Sequence, residues 1–168
     1  MEEARGDAGL SRISDATNRF YDRIRHRSAS DAAATPGTLP DFSALRGHKY
    51  CLLVTFKRSG EPVPTPVWFG LGDDGRLYAR TESHVAKVKR ICNDPHVRAA
   101  PCSMRGRPLG PTAEGTARIL PPEDEPRAEA AISANYGLFR RLYEGAGQRL
   151  DIPLVYIEAV PSGQEVSQ

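Results

Sequence analysis

The chain has 168 residues, 39% hydrophobic and 26% charged, with a formal net charge of +2 and a pI near 8.5. That length sustains one buried core with an appendage, and so mild a charge excludes nucleic-acid binding argued from net charge alone. Three cysteines, at positions 51, 92 and 102, lack Cys-x-x-Cys spacing and clustered histidines, which argues against a disulfide framework or zinc site and for a reducing cytoplasm.

The start, MEEARGDAGLSRISD, is charged and has no apolar stretch of the kind a secretory signal needs, and no apolar run approaches a membrane span. Residues 8–28 read as an amphipathic helix with Leu10, Ile13, Phe20, Tyr21 and Ile24 on its apolar side, interrupted at Thr17. Residues 28–40, SASDAAATPGTLP, are small, polar and punctuated by Pro and Gly, the composition of a linker. The expected division is therefore an N-terminal helix and linker over 1–40, a domain over 41–163 and a tail over 164–168.

From Lys49 the pattern turns to strands. YCLLVTF is a compact apolar run; KRSGEP is a turn; VPTPVWFGL is a second strand; DDGR is another turn and RLYART a third strand. Pro64 and Pro66 lie inside the second strand, where a residue without N–H is tolerated only at an edge, a bulge or a place where the backbone faces something else. SHVAKVKRICND predicts a short helix stopped by Pro95, followed by a strand HVRAAPC and the Gly/Pro loop SMRGRPLGP. TAEGTARILP is a further strand. The longest helical pattern, EDEPRAEAAISANYGLFRRLYEGAG, has acids early and arginines late and is interrupted at Gly137; PLVYIEAVP closes as a strand. Six short strands with helices between them predict a mainly β fold, a barrel with peripheral helices rather than a doubly wound sheet.

The basic helix is the place where chemistry concentrates. Ser83 is a candidate N-cap; Val85, Val88, Ile91 and Cys92 are placed to face the core, leaving Lys87 and Arg90 together on a more polar side. Helix N-terminal amides and cations attract an anion, and Thr81 adds a hydroxyl, so Thr81, Ser83 and Lys87 form a candidate phosphate cradle. The alternative is a solvated basic face, the commoner meaning of such a cluster. Pro64 and Pro66 favour the cradle, because a strand whose backbone is spared from a ladder can offer main-chain groups to a planar ligand. Trp68 as a lone strand tryptophan also reads as core, as does Cys92. Cys102, between a strand and a glycine loop, is a position open to exposure, yet it lacks a histidine partner for thiolate chemistry. His26, His48, His84 and His96 show no metal-ligand spacing, and neither a phosphate-loop nor a dinucleotide fingerprint is present.

The stretches LLVTFKRSGEPVPTPVWFGL, GRLYART and AKVKRICNDPHVRAAPCSMRGRPLGPTAEGTARIL resemble the pyridoxamine 5′-phosphate oxidase-like split-barrel proteins. More narrowly, they resemble the actinobacterial flavin/deazaflavin oxidoreductases that use coenzyme F420, an 8-hydroxy-5-deazaflavin. The resemblance runs from about Gly47 through the last strand and includes NYGLFRRLYE. It implies a six-stranded split β-barrel of the FMN-binding type, homodimeric, with cofactor sites between subunits. Thr65, Pro66, Val67 and Trp68 would lie along the deazaflavin ring. Thr81, Ser83, Lys87 and Lys89, with Arg90, would hold the phosphate side, and Pro101, Cys102 and the loop through Arg105 would approach the site, from the same or the second subunit.

FMN is the alternative cofactor. Oxidases that hold it place basic residues along the first barrel strand, whereas CLLVTF has Lys57 and Arg58 only at its end. The anionic tail of F420 would suit arginines 98, 105 and 107. The implied activity is hydride transfer from reduced F420 to a small electron-poor acceptor such as an enone, a quinone or a bilin-like system, with Tyr78 a guessed proton donor. A non-catalytic F420-binding protein is the rival of another class. Nucleic-acid binding is disfavoured because the basic helix lacks interleaved aromatics.

Overall fold

The computed structural model describes residues 28–137 and 153–163. The expected helix over 8–28 therefore lies outside the described residues, except for its last position, as do the continuation of the long helical pattern past Gly137 and the 164–168 tail.

Six strands close into one barrel: β1 (Tyr50–Phe56), β2 (Pro62–Leu71), β3 (Leu77–Glu82), β4 (His96–Cys102), β5 (Ala113–Ile119) and β6 (Leu154–Pro161), in the order β1-β2-β3-β6-β5-β4. Every neighbouring pair is antiparallel. The barrel with peripheral helices expected from the sequence is thus the architecture present. Inward-facing Leu53, Phe69, Leu77, Val97 and Ile157 fill the interior, with the small Ala79, Ala99, Ala117 and Ala159 between them. Phe42 and Leu45, around a short 3-10 turn at Ser43–Leu45, join the same core. Mixing large and small side chains is how a barrel this narrow fills its interior without voids.

β1 is buried on both faces, which explains its unbroken apolar run. Its outward residues Leu52, Val54 and Phe56 are covered by a helix, α1 (Ser28–Ala34), through Ala29 and Ala33. Here the linker reading of 28–40 fails over Ser28–Ala34, which is helical, while 35–40 forms no helix or strand. Small residues that look like linker in isolation let a helix approach the barrel closely, and Arg98 Nη1 donates to the carbonyl of Ala33 at 2.7 Å to satisfy its C-terminal end. Residues 37–39 then run beside β5, with Thr38 N donating to Thr112 O at 2.8 Å and Gly37 N to Glu114 Oε1 at 2.7 Å.

Two more helices complete the domain. α2 (Ala86–Asn93) inserts Ile91 into the barrel core. α3 (Glu125–Tyr136) ends at Gly137, whose φ of 55° stops it where the sequence showed an interruption. α3 lies so close to β2 that a Cβ at Gly70 would fall 2.2 Å from the Ala131 carbonyl carbon. Only glycine permits that contact. Among the described residues no helix is long and apolar enough to cross a membrane.

Candidate functional site: the split between β2 and β3

β2 and β3 pair only over Phe69–Leu71 and Leu77–Ala79. Beyond that the strands part, and residues 62–68 of β2 pair with β1 alone while Arg80–Glu82 of β3 pair with β6 alone. Two hydrogen bonds establish which way β2 faces. Lys57 N donates to Glu61 O at 3.0 Å on the β1 side, and Gly72 N donates to Arg76 O at 2.9 Å on the β3 side. Since N–H and C=O of one strand residue point the same way and alternate along the chain, odd-numbered β2 residues address β1 and even-numbered ones address the split. Pro62, Pro64 and Pro66 all fall on the split side. The prolines that looked anomalous in a strand are therefore edge residues, placed where no ladder bond is lost. The main-chain groups this edge has at those positions are carbonyl oxygens, since proline carries no N–H. None of the described residues donates to the carbonyls of Pro62, Pro64 or Pro66.

The side chains of Thr65–Trp68 divide between two faces, as strand alternation requires. Val67 is in the barrel core. Trp68 lies outside, stacked on Tyr136 with ring centroids 5.1 Å apart at 23°. Tyr136 in turn accepts from Phe69 N at 3.1 Å and donates to Lys49 O, and Asn135 Nδ2 bridges the carbonyls of His48 and Phe69 at 3.1 and 2.9 Å. The end of α3 thus clasps β1 to β2 where their own ladder stops. Nothing local in the sequence announces this clasp, because its two halves are 67 residues apart.

α2 places Arg90 and Lys87 on one side of the helix. Arg90 Nε donates to Thr55 Oγ1 at 2.7 Å, and Thr55 is buried, pointing into the barrel from the end of β1. Lys87 shares that side of the helix and is half-buried, while Lys89, about 200° away around the helix axis, is exposed. Burial is the main reason the Lys87 ammonium is driven down from 10.5 to about 8; the neighbouring Arg90 charge adds to this, and Glu82 opposes it. Thr55 was missed by sequence reasoning, although a hydroxyl closing the apolar run CLLVTF was the available signal.

Ser83 is not the N-cap. α2 starts three residues later, with Val85 at the cap position and no side-chain cap, because Ser83 is still held in the strand direction by its N–H bond to Pro153 O at 2.9 Å. Thr81 pairs with Val155 on β6 and shares the inward parity of Leu77 and Ala79.

The cysteine assignments reverse. Cys92 is exposed, whereas Cys102 is buried beneath Ala29, Leu52 and the chain returning after β4. Burial pushes the Cys102 thiol up to about 12, so it carries no thiolate chemistry. Pro101 is buried as well, and Leu109 N donates to its carbonyl at 2.8 Å. The turn at 103–106 crosses the outer face of β1 and β2 within the same chain. A Cβ at Gly106, whose φ is 79°, would sit 3.0 Å from Pro66 Cγ. Arg105 and Arg107 are exposed on this turn.

Arg98 does not point to any tail-binding surface, since it is committed to Glu114 at 2.9 Å and to Ala33. Lys57 and Arg58 are likewise engaged elsewhere, with Glu61 at 2.8 Å and Asn93 at 3.1 Å. Tyr78 is sealed under α3 with Leu120, Ala128 and Ile132, and among the described residues its hydroxyl has no hydrogen-bond partner. Burial, with the Asp74 and Glu158 carboxylates, raises it to about 12, which removes it as a proton donor to the split.

The sequence model of the pyridoxamine 5'-phosphate oxidase family matches residues 41–159. The chain belongs to that family. Structural relatives share the barrel: the heme storage protein HutZ of Vibrio cholerae (15% identity over 71% of this chain and 85% of that one, TM-score 0.52), an FAD-binding protein of Mesorhizobium loti (17%, 71% and 83%, 0.51) and a conserved hypothetical protein of Mycobacterium tuberculosis (16%, 76% and 86%, 0.51). At such identities the likeness is one of fold. No curated protein matches the chain.

Proposed function

We propose that this member of the family is a reductase that uses reduced coenzyme F420 and acts on an electron-poor conjugated small molecule of the enone, quinone or bilin-like kind. The observation that carries the reading is Lys87: a lysine held half-buried beside Arg90, where burial and like charge both work against its proton. A surface helix has no reason to keep such a cation, whereas a site for an anionic group does. The donor set fits a phosphate. Lys87 and Arg90 supply charge, and Thr81 and Ser83 supply hydroxyls from the β3 side of the split. The β2 backbone over Thr65–Trp68 offers an edge for a flat ring.

When bound, the reduced deazaflavin supplies the hydride. The chain's own task is to hold the phosphate, orient the ring along β2 and keep water from the reacting face. A homodimer, in which the second subunit adds exposed Arg105 from its 103–106 turn, belongs to the same reading; Pro101 and Cys102, covered within their own chain, would support that turn rather than touch the cofactor. Lys89, exposed on α2, would meet the cofactor only from such a second subunit or through its longer tail.

A flavin reading, with FMN in place of F420, has support from the FAD-binding relative. Titration of the purified protein with F420 and with FMN, followed through the single tryptophan, Trp68, separates the two. Micromolar or tighter binding of F420 with little response to FMN is expected. Preference for FMN moves the protein to the flavin branch, and F420 binding with no acceptor reduced across a broad panel marks a binding protein.

A further inference from the structure

The free edge of β2 has a polarity of its own. A normal strand edge alternates N–H and C=O, so it serves donors and acceptors alike. Here Pro62, Pro64 and Pro66 remove the N–H at three successive split-facing positions, and their carbonyl oxygens receive no bond from any described residue. Gly106 lies over Pro66 on the outer face, with room for no side chain between them, and Pro64 is buried. The β2 side of the split is thus a row of acceptors that cannot turn over to donate.

Resting on the cofactor reading above, we propose that this proline-spaced carbonyl row makes the split discriminate between a ring that carries carbon at position 5 and one that carries nitrogen there. The long edge of an oxidised flavin that contains N5 and O4 presents only acceptors. Against a second row of acceptors, the N5 lone pair loses its water and gains no donor. A 5-deazaflavin replaces that lone pair with a C–H, which has no such need and makes a weak contact with a carbonyl. The device works by rejecting the competitor rather than by adding a bond to the preferred ligand.

The test uses two probes with the same ribityl phosphate tail, FMN and 5-deaza-FMN, whose affinities for the full-length protein are measured by equilibrium titration. An unpartnered acceptor predicts that 5-deaza-FMN binds about 10-fold tighter or more. Pro66→Ala restores one N–H to the edge and should strengthen FMN selectively, narrowing the ratio; Pro62→Ala makes the same comparison at the outer end of the strand, should Pro66→Ala fail to fold. Equal affinity of the two probes, or tighter FMN, overturns the inference while leaving the phosphate cradle standing. Binding of neither probe overturns the cradle and the inference together.

Discussion

Replacing Lys87 by methionine separates a functional cation from a structural one. Methionine keeps the length and most of the apolar stem but carries no charge to desolvate. A lysine lowered from 10.5 to about 8 in the folded protein has lost proton affinity mainly through burial, with Arg90 contributing. At about 1.4 kcal/mol for each tenfold change in proton affinity, the full cost of keeping it charged is roughly 3 kcal/mol, and partial solvent screening brings the expected figure to about 1–2 kcal/mol. Lys87→Met should therefore stabilise the cofactor-free protein at pH 7, raising Tm by about 2–8 °C for a chain of this size.

The sign fixes the pH window. Because the folded-state value lies below the unfolded one, the cost is complete below about pH 8 and disappears as the pH rises toward 10.5. The advantage of the variant should fade over the same interval in thermal or urea unfolding. In the same protein, affinity for a phosphate-bearing cofactor should fall by about 1–3 kcal/mol, the loss of a charge-assisted contact. A variant that is less stable at pH 7, or whose gain is independent of pH, would refute the argument that Lys87 is held against its own preference.

Two further outcomes follow from contacts remote from the split. Glu158 is buried on β6 among Arg118 at 2.8 Å, Arg127 at 2.9 Å and Arg76 at 3.2 Å. Burial pushes its carboxyl up, but the arginines more than offset this and hold it below its ordinary value, so its contribution is present above about pH 4.5 and lost as acid protonates it. Glu158→Ala removes the anion the three guanidinium groups share, but they are partly solvated and keep Asp74 and Asp124, so it should cost about 1–3 kcal/mol in urea unfolding at pH 7; no measurable loss would show the arginines to be satisfied without it. Thiol titration of the native protein with a disulfide reagent should find one fast-reacting cysteine, Cys92, with Cys51 and Cys102 reacting only on unfolding; a fast Cys102 would mean that the cover formed by α1 and the 103–110 return opens readily.

Much of the barrel was legible in the chain order of its residues. YCLLVTF and HVRAAPC coincide with β1 and β4 to the residue, because an apolar run bounded by turn chemistry leaves little freedom over where a strand begins and ends. Gly137 stopped α3 as expected. The failures share a cause as well. SASDAAA has the composition of a linker, and it became a helix because its alanines fit against Leu52 and Val54 on the barrel. Ser83 had the chemistry of an N-cap, but pairing with the chain before β6 kept it extended.

Local chemistry by itself determined the number and order of the strands, the position of the basic helix and the presence of prolines that no interior strand could accept. Each depends on a residue's own conformational preferences or on neighbours a few positions away. Tertiary structure alone decided that three prolines face one gap, that Lys87 and Arg90 turn inward while Lys89 turns out, and that Cys102 rather than Cys92 is covered. Those outcomes depend on register and on which elements dock upon which. β1 meets β2, α3 closes on Gly70 and the 103–106 turn folds over Pro66 only when segments distant in the chain are brought together, and the energy that selects one arrangement resides in those long-range contacts.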